Sequence, residues 1–229
     1  MKLLAIETAT EACSAALLID GEIRQQYEIA PREHARRILV MIDELMAEAQ
    51  LKPKQLDAIA FGRGPGSFIG VRIAAGVTQG IAYAADLAVA PVSTLAAIAQ
   101  ESGFDSTLVA IDARMGEIYC AQYERAEDTG TVILIGEEHL VRPEQADLFS
   151  INGKQWQGIG TGWQTYRDAL LGVLPGINPC DDHLYPSAQA IAELAVNQVE
   201  LGNTVSAAQA IPVYLRDKVA EKPLKQDLS

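Results

Sequence analysis

FGRGPGSFIGVRIAAGVTQG, residues Phe61 to Gly80, decides the fold of this chain. Ala58-Ile59-Ala60-Phe61 reads as a buried strand, and Gly62 to Gly66 must then turn tightly. Pro65 fixes one φ angle there, and the glycines are free to take positive ones. From Ser67 or Phe68 to Ala85, Arg72, Thr78, Gln79 and the Tyr83 hydroxyl alone interrupt a series of small and apolar side chains. Any buried strand-turn-helix unit needs such a turn, but burial in the domain accounts for one helix face. Here Gly70, Ala74, Val77, Ile81 and Ala84 lie on one side and Ile69, Ile73, Gly76, Gly80 and Tyr83 on another, leaving no face for water. Such a helix must be covered twice, once by its own sheet and once by a neighbouring helix or a second protein.

Working outward, Leu3 to Glu7 and Ala12 to Ile19 read as strands, and Asp20-Gly21 is a hairpin turn into a third, Glu22 to Ile29. A helix from about Arg32 to Gln50 follows, with Ala35, Ile38, Leu39, Ile42, Leu45, Met46 and Ala49 at helical spacing and Val40 and Met41 widening the stripe. Its apolar stripe makes it the second contributor to the patch on the glycine-turn helix. Strand Leu87 to Ala90 and a helix from about Ser93 to Gln100 complete a strand-helix alternation, which calls for parallel neighbours. After Ser106 the pattern restarts with strands Leu108 to Ile111, Glu117 to Tyr123, Val132 to Leu140 and Trp156 to Gly160. Helices at about Tyr166 to Leu171 and Ser187 to Leu201 close it, Gly202 ending the last. The reading is two α/β units, 1–106 and a smaller 107–218, with a polar tail at 219–229 and no visible internal repeat.

Composition narrows the function. Eighteen basic against thirty acidic residues give a net charge of −12, which repels a phosphate backbone, so any role on nucleic acid needs a basic partner. Cys13, Cys120 and Cys180 are far apart and lack metal-ligand spacing, so they read as reduced, packed thiols. Glu7 and Glu11 break the first apolar run before a signal peptide or membrane span could form, and the expectation is a cytoplasmic protein. Glu33-His34 lacks the second histidine of a zinc-peptidase helix, and Asp181-Asp182-His183 reads as a solvated turn. Gly158-Ile-Gly-Thr-Gly-Trp163 has neither dinucleotide-fingerprint spacing nor a P-loop lysine.

The hairpin start, the parallel alternation and the second strand-led unit have the layout of the actin, Hsp70 and sugar-kinase (ASKHA) superfold. Ile6-Glu7-Thr8-Ala9-Thr10 occupies the position of its first phosphate-facing turn. With GRGPGSFIGVRI, IDARMGEIY, Gly158 to Trp163 and Pro212-Val-Tyr-Leu-Arg216, the chain resembles the bacterial TsaB family, also called YeaZ, from Lys2 to about Val219. Ile69 stands where that family commonly has threonine.

The resemblance implies a non-catalytic subunit that binds and organises a TsaD-like catalytic subunit. Their complex transfers a threonylcarbamoyl group to N6 of an adenosine in tRNAs that read codons beginning with A. It also implies a TsaE-like ATPase in the complex, a homodimer when the chain is alone, tRNA reached only through the complex, and no membrane. The paired metal-binding histidines of the TsaD helix fall here on Thr94 and Ile98, so no metal is expected, and His34 is expected at a helix surface or cap. Leu39, Ile42, Met46, Ile69, Gly70, Ile73, Ala74, Val77 and Ile81 are the expected partner interface. Glu7, Thr8 and Thr10 are candidates to face a nucleotide, with no cofactor held by the chain alone and ATP or ADP expected in the complex. A small-molecule kinase of the superfold and a peptidase remain as alternatives.

Overall fold

The computed structural model describes residues 1–151, 153–180 and 185–216. The Asp181-Asp182-His183 turn and the 219–229 tail expected above lie outside the described residues.

Strands β1 (Lys2–Glu7), β2 (Ala12–Ile19) and β3 (Glu22–Ile29) form an antiparallel meander. Asp20 and Gly21 turn between β2 and β3 with φ of 51° and 93°, as a two-residue hairpin of right-handed twist requires. Helix α1 (His34–Glu48) leads to β4 (Ala58–Gly62), α2 (Phe68–Ala85), β5 (Ala88–Val92) and α3 (Thr94–Ser102). The sheet order is β3-β2-β1-β4-β5, with β4 and β5 parallel to β1. Strand β5 runs through Pro91, where the sequence reading stopped; at a sheet edge a proline need not donate a ladder hydrogen bond.

The second half repeats this plan. Strands β6 (Ser106–Arg114), β7 (Glu117–Arg125) and β8 (Val132–Val141) are antiparallel, and β9 (Trp156–Ile159) and β10 (Ile177–Pro179) join parallel to β6. The order β8-β7-β6-β9-β10 matches the first sheet strand for strand. The sequence carries no such repeat because burial pattern, not residue identity, preserves a sheet. Helices α4 (Thr161–Thr165), α5 (Arg167–Val173) and α6 (Ala188–Glu200) complete the described elements.

Helices α1 and α2 cover one face of the first sheet, packing Ile38, Met41, Leu45, Ala74 and Ala75 over Leu4, Ile6, Leu17, Ile59 and Phe61. The opposite face is covered by α6, whose Ala188, Ile191, Ala192 and Ala195 lie against Leu3, Ala5, Ala58, Ala60 and Ala90. Conversely, α3 sends Leu95, Ile98 and Ala99 onto Val109, Ile111, Ala121 and Tyr123 of the second sheet. Small residues on both α6 and the first sheet let helix and strands close up, and Val205 then bridges to Val89. Across the same joint, Arg63 of the glycine turn pairs with Glu138 of β8 at 3.2 Å, and Glu138 also accepts from the Ser93 and Tyr123 hydroxyls.

Three glycines explain how α2 is fixed. A Cβ on Gly62 would overlap the Glu7 carboxylate, one on Gly66 the Ala9 carbonyl, and one on Gly70 the Thr8 carbonyl. Into the contact they leave, Ser67 N–H donates to the Ala9 carbonyl at 2.7 Å and the Thr8 hydroxyl donates to the Gly70 carbonyl at 2.8 Å. Gly76 and Gly80, on the same helix, meet nothing. Gly70→Ala is thus expected to destabilise the fold by about 1–3 kcal/mol through backbone overpacking. Gly76→Ala is expected to stabilise it by about 0.5–1 kcal/mol through helix propensity. Thermal or urea unfolding of the two variants checks both signs, and equal effects would contradict this geometry.

Candidate functional site

Helix α2 has two unlike faces. Gly70, Val71, Ala74, Ala75, Thr78 and Ala82 are buried on the sheet and the β1 extension, while Ile69, Gly76, Gly80 and Tyr83 look outward. Ile69 is 70% exposed and Tyr83 86%. Along one flank Ile73, Val77 and Ile81 half-bury themselves in the core shared with α1, whose own Leu39 is 55% exposed. Along the other flank runs the 210–216 segment. Gln79 donates its side-chain amide to the Ala210 carbonyl at 3.1 Å, Val213 N–H donates to the Arg63 carbonyl at 2.8 Å, and the Phe68 and Tyr214 rings lie 6.0 Å apart. The result is an apolar surface built from α1, α2 and this returning segment. By length and composition α2 could cross a membrane, but a third of it is locked into the core.

The expected interface residues divide accordingly. Leu39 and Ile69 stand on the exposed surface, and Ile73, Val77 and Ile81 line the seam between the helices. Gly70, Ala74, Ile42 and Met46 are buried within the chain: the first two pack on the domain's own sheet side, the last two point from α1 into the core. Helical periodicity alone placed them on the patch because an all-apolar helix does not reveal which side its sheet takes. Phe68, Arg72, Tyr83, Ile211 and Tyr214 belong to the surface and were not among the expected contacts. The aromatic at 214 was visible in the sequence, but its neighbourhood to α2 is a long-range contact with no local signal.

A cleft of about 700 Å³ opens where the two halves meet, lined by Thr10, Glu11, His34, Ser67, Thr161 and Arg216 among others. Glu7 and Thr8 do not line it. Both are wholly buried under the glycine turn, so of the three candidates to face a nucleotide Thr10 alone reaches the cleft. Within the cleft Arg114 is paired with Glu11 and Asp112 at 3.3 and 3.0 Å, and Arg216 with Glu117 at 2.6 Å. His34 opens α1 as a buried residue without a bonded Nε2, not as a surface or capping residue; Glu33 is the N-cap. Thr94 and Ile98 are core: the Thr94 hydroxyl donates to Glu7 at 3.2 Å, and Ile98 packs on the second sheet. Among the described residues no three His, Cys, Asp or Glu side chains converge as a metal site. Cys13 and Cys120 are free and buried, and burial pushes each thiol up to about 12, where it is unreactive at neutral pH.

This geometry has close relatives. The sequence model of the family described as "TsaD: tRNA N6-adenosine threonylcarbamoyltransferase" matches residues 22–224. The tRNA threonylcarbamoyladenosine biosynthesis protein TsaB of Escherichia coli (strain K12) is 42% identical, covering 98% of both chains. Its namesake in Haemophilus influenzae is also 42% identical, over 98% of this chain and 97% of that protein. The solved structure named YeaZ from Pseudomonas aeruginosa superposes with a TM-score of 0.83 at 42% identity, covering 93% of this chain and 99% of that one. A second solved structure, described as similar to peptidase YEAZ from the same organism, gives 0.86 at 43% over 94% and 99%. The chain belongs to the TsaB (YeaZ) family.

In this TsaB-family chain Glu7, wholly buried beneath the glycine turn, is a carboxyl shifted by burial. Burial raises its carboxyl from 4.5 to about 7, opposed by hydrogen bonds from Ala9 N–H at 2.5 Å and the Thr94 hydroxyl. The folded state therefore holds this proton to a higher pH than the unfolded chain does. Its contribution to stability falls as pH rises from about 4.5 through about 7 and is lowest above that window. Replacing Glu7 by glutamine, which keeps the shape without the charge, is expected to flatten the decline of Tm between these pH values. A variant whose Tm still declines as the parent's does would place the titration elsewhere.

Proposed function

We propose that this chain is a non-catalytic subunit of the complex that transfers a threonylcarbamoyl group to N6 of adenosine in tRNA. It docks on the TsaD-like catalytic subunit through the α1/α2 face. One observation carries the reading: α2 is anchored to its own sheet by close glycine contacts along one side and presents Ile69, Gly76, Gly80 and Tyr83 to water along the other. Exposed small and apolar residues of this kind on a fixed helix suit close packing with a second helix pair. The names of the relatives, tRNA threonylcarbamoyladenosine biosynthesis proteins, and the threonylcarbamoyltransferase family model supply the reaction.

The same reading assigns the chemistry to the partner. With a charge of −12, the chain leaves tRNA to the catalytic subunit, in the cytoplasm. The positions matching the partner's metal-binding histidines, Thr94 and Ile98, serve packing here. ATP or ADP belongs to the assembled complex, which a TsaE-like ATPase completes. In support, no lysine lines the cleft among the described residues, and two of its three arginines, Arg114 and Arg216, are engaged by the chain's own carboxylates. A kinase would need those cations free for phosphate. A peptidase would need a base beside a nucleophile, and among the described residues neither His34 nor His139 hydrogen-bonds a serine or cysteine; His139 packs edge-on to Phe149.

Leu39→Glu and Ile69→Glu test the docking face. Both positions are exposed, so Tm is expected to stay within a few degrees of the parent. Affinity for the catalytic subunit, read by sedimentation and pull-down, is expected to fall by about 30-fold or more. Ala74→Glu is the contrast: an unpaired carboxylate pressed against the sheet is expected to unfold the domain. Folded Leu39 and Ile69 variants that pair as tightly as the parent would move the interface elsewhere.

A further inference from the structure

Between Phe68 and Ala85 the one charged side chain is Arg72, and it stands one turn from both Ile69 and Gly76 on the exposed side of α2. Its guanidinium carbon lies 3.2 Å above the centre of the Phe68 ring and 5.4 Å from that of Tyr214, with the two rings tilted by 42°. This cation–π contact holds the guanidinium over the two rings on the exposed side of the helix. The guanidinium has no carboxylate or carbonyl partner among the described residues, whereas Arg37 is paired with Glu28 and Arg63 with Glu138. The stack also limits the conformations Arg72 can adopt, so less freedom is lost when its edge is engaged.

Resting on the reading of this face as the docking site of the catalytic subunit, we infer that Arg72 is its specificity-determining charge and receives a carboxylate from the partner. Covering the apolar residues around it removes water from the guanidinium. A charge so desolvated opposes binding unless an opposite charge meets it, and a carboxylate matches the guanidinium fork with two parallel hydrogen bonds. Phe68 and Tyr214 are positioning residues for that fork. They also extend the contact to Ile211, which is exposed on the returning segment. A second copy of this chain fits less well. Its α2 carries no Asp or Glu between Phe68 and Ala85 to offer Arg72, the exposed acids of its face lie on α1 at Asp43, Glu44 and Glu48, and two chains of −12 repel each other.

The test measures affinity for the purified catalytic subunit by calorimetry at low and high salt, with self-association followed by sedimentation. The parent chain is compared with Arg72→Gln, Arg72→Lys and Ile69→Glu, each first shown to keep the parent's Tm. Arg72→Gln is expected to bind about tenfold or more weakly and to lose most of the parent's salt dependence. Arg72→Lys is expected to restore the salt dependence but recover only part of the affinity, because an ammonium cannot make the paired contact. If Ile69→Glu abolishes binding while Arg72→Gln keeps the parent's affinity and salt response, Arg72 has no such role and the docking face stands. If Ile69→Glu binds as the parent does, the docking face itself is refuted and this inference falls with it. Loss of self-association in Arg72→Gln, with affinity for the catalytic subunit unchanged, would put the carboxylate on a second copy and equally overturn the inference.

Discussion

The structure depends on the close approach of the β1 extension, Glu7 to Ala9, to three glycines spaced four apart from the end of β4 through the turn into α2. Gly62, Gly66 and Gly70 have no side chain because the carboxylate of Glu7 and the carbonyls of Ala9 and Thr8 occupy the space a Cβ would need. Hydrogen bonds from Ser67 N–H and the Thr8 hydroxyl close the contact. Since backbone meets backbone, the position of α2 is set without long side chains, and Ile69, Gly76, Gly80 and Tyr83 on its opposite face stay exposed among the described residues. Buried Glu7 is the electrostatic consequence: desolvation displaces its titration to about 7, and only neutral donors meet it.

A second constraint holds the two halves in register. Each sheet takes its last covering helix from the other half, α6 lying on the first sheet and α3 on the second. The Arg63–Glu138 pair joins the glycine turn to β8 across the same joint, with Ser93 and Tyr123 satisfying the remaining oxygen. A chain exchanged in this way presents its α1, α2 and 210–216 surface on one rigid support, which is what a docking face requires.

Much of this was legible in the residues. The hairpin at Asp20-Gly21, the glycine turn and the limits of α2 follow from local chemistry, and the structure reproduces β2, β3 and α2 almost to the residue. What was not legible is long-range. That Ala188 to Glu200 returns to the first sheet depends on the fit of its alanines to other alanines far away in sequence, and no periodicity encodes the choice. The duplicated sheet order was hidden for the same reason. At the site, an all-apolar α2 shows two faces in the sequence without marking which one its sheet takes, and only the structure puts Gly70 and Ala74 on the core side. Glu7 and Thr8, candidates by family position to face a nucleotide, are wholly buried beside the glycine turn, a long-range contact with no local signal.

The central claim, that α2 is core along one side and partner contact along the other, is tested most directly by hydrogen exchange with and without the catalytic subunit. Peptides spanning α1, α2 and residues 210–216 are expected to gain protection on mixing, while β6, β7 and β8 exchange as before. Protection confined to the second sheet, with α2 unchanged, would contradict the account.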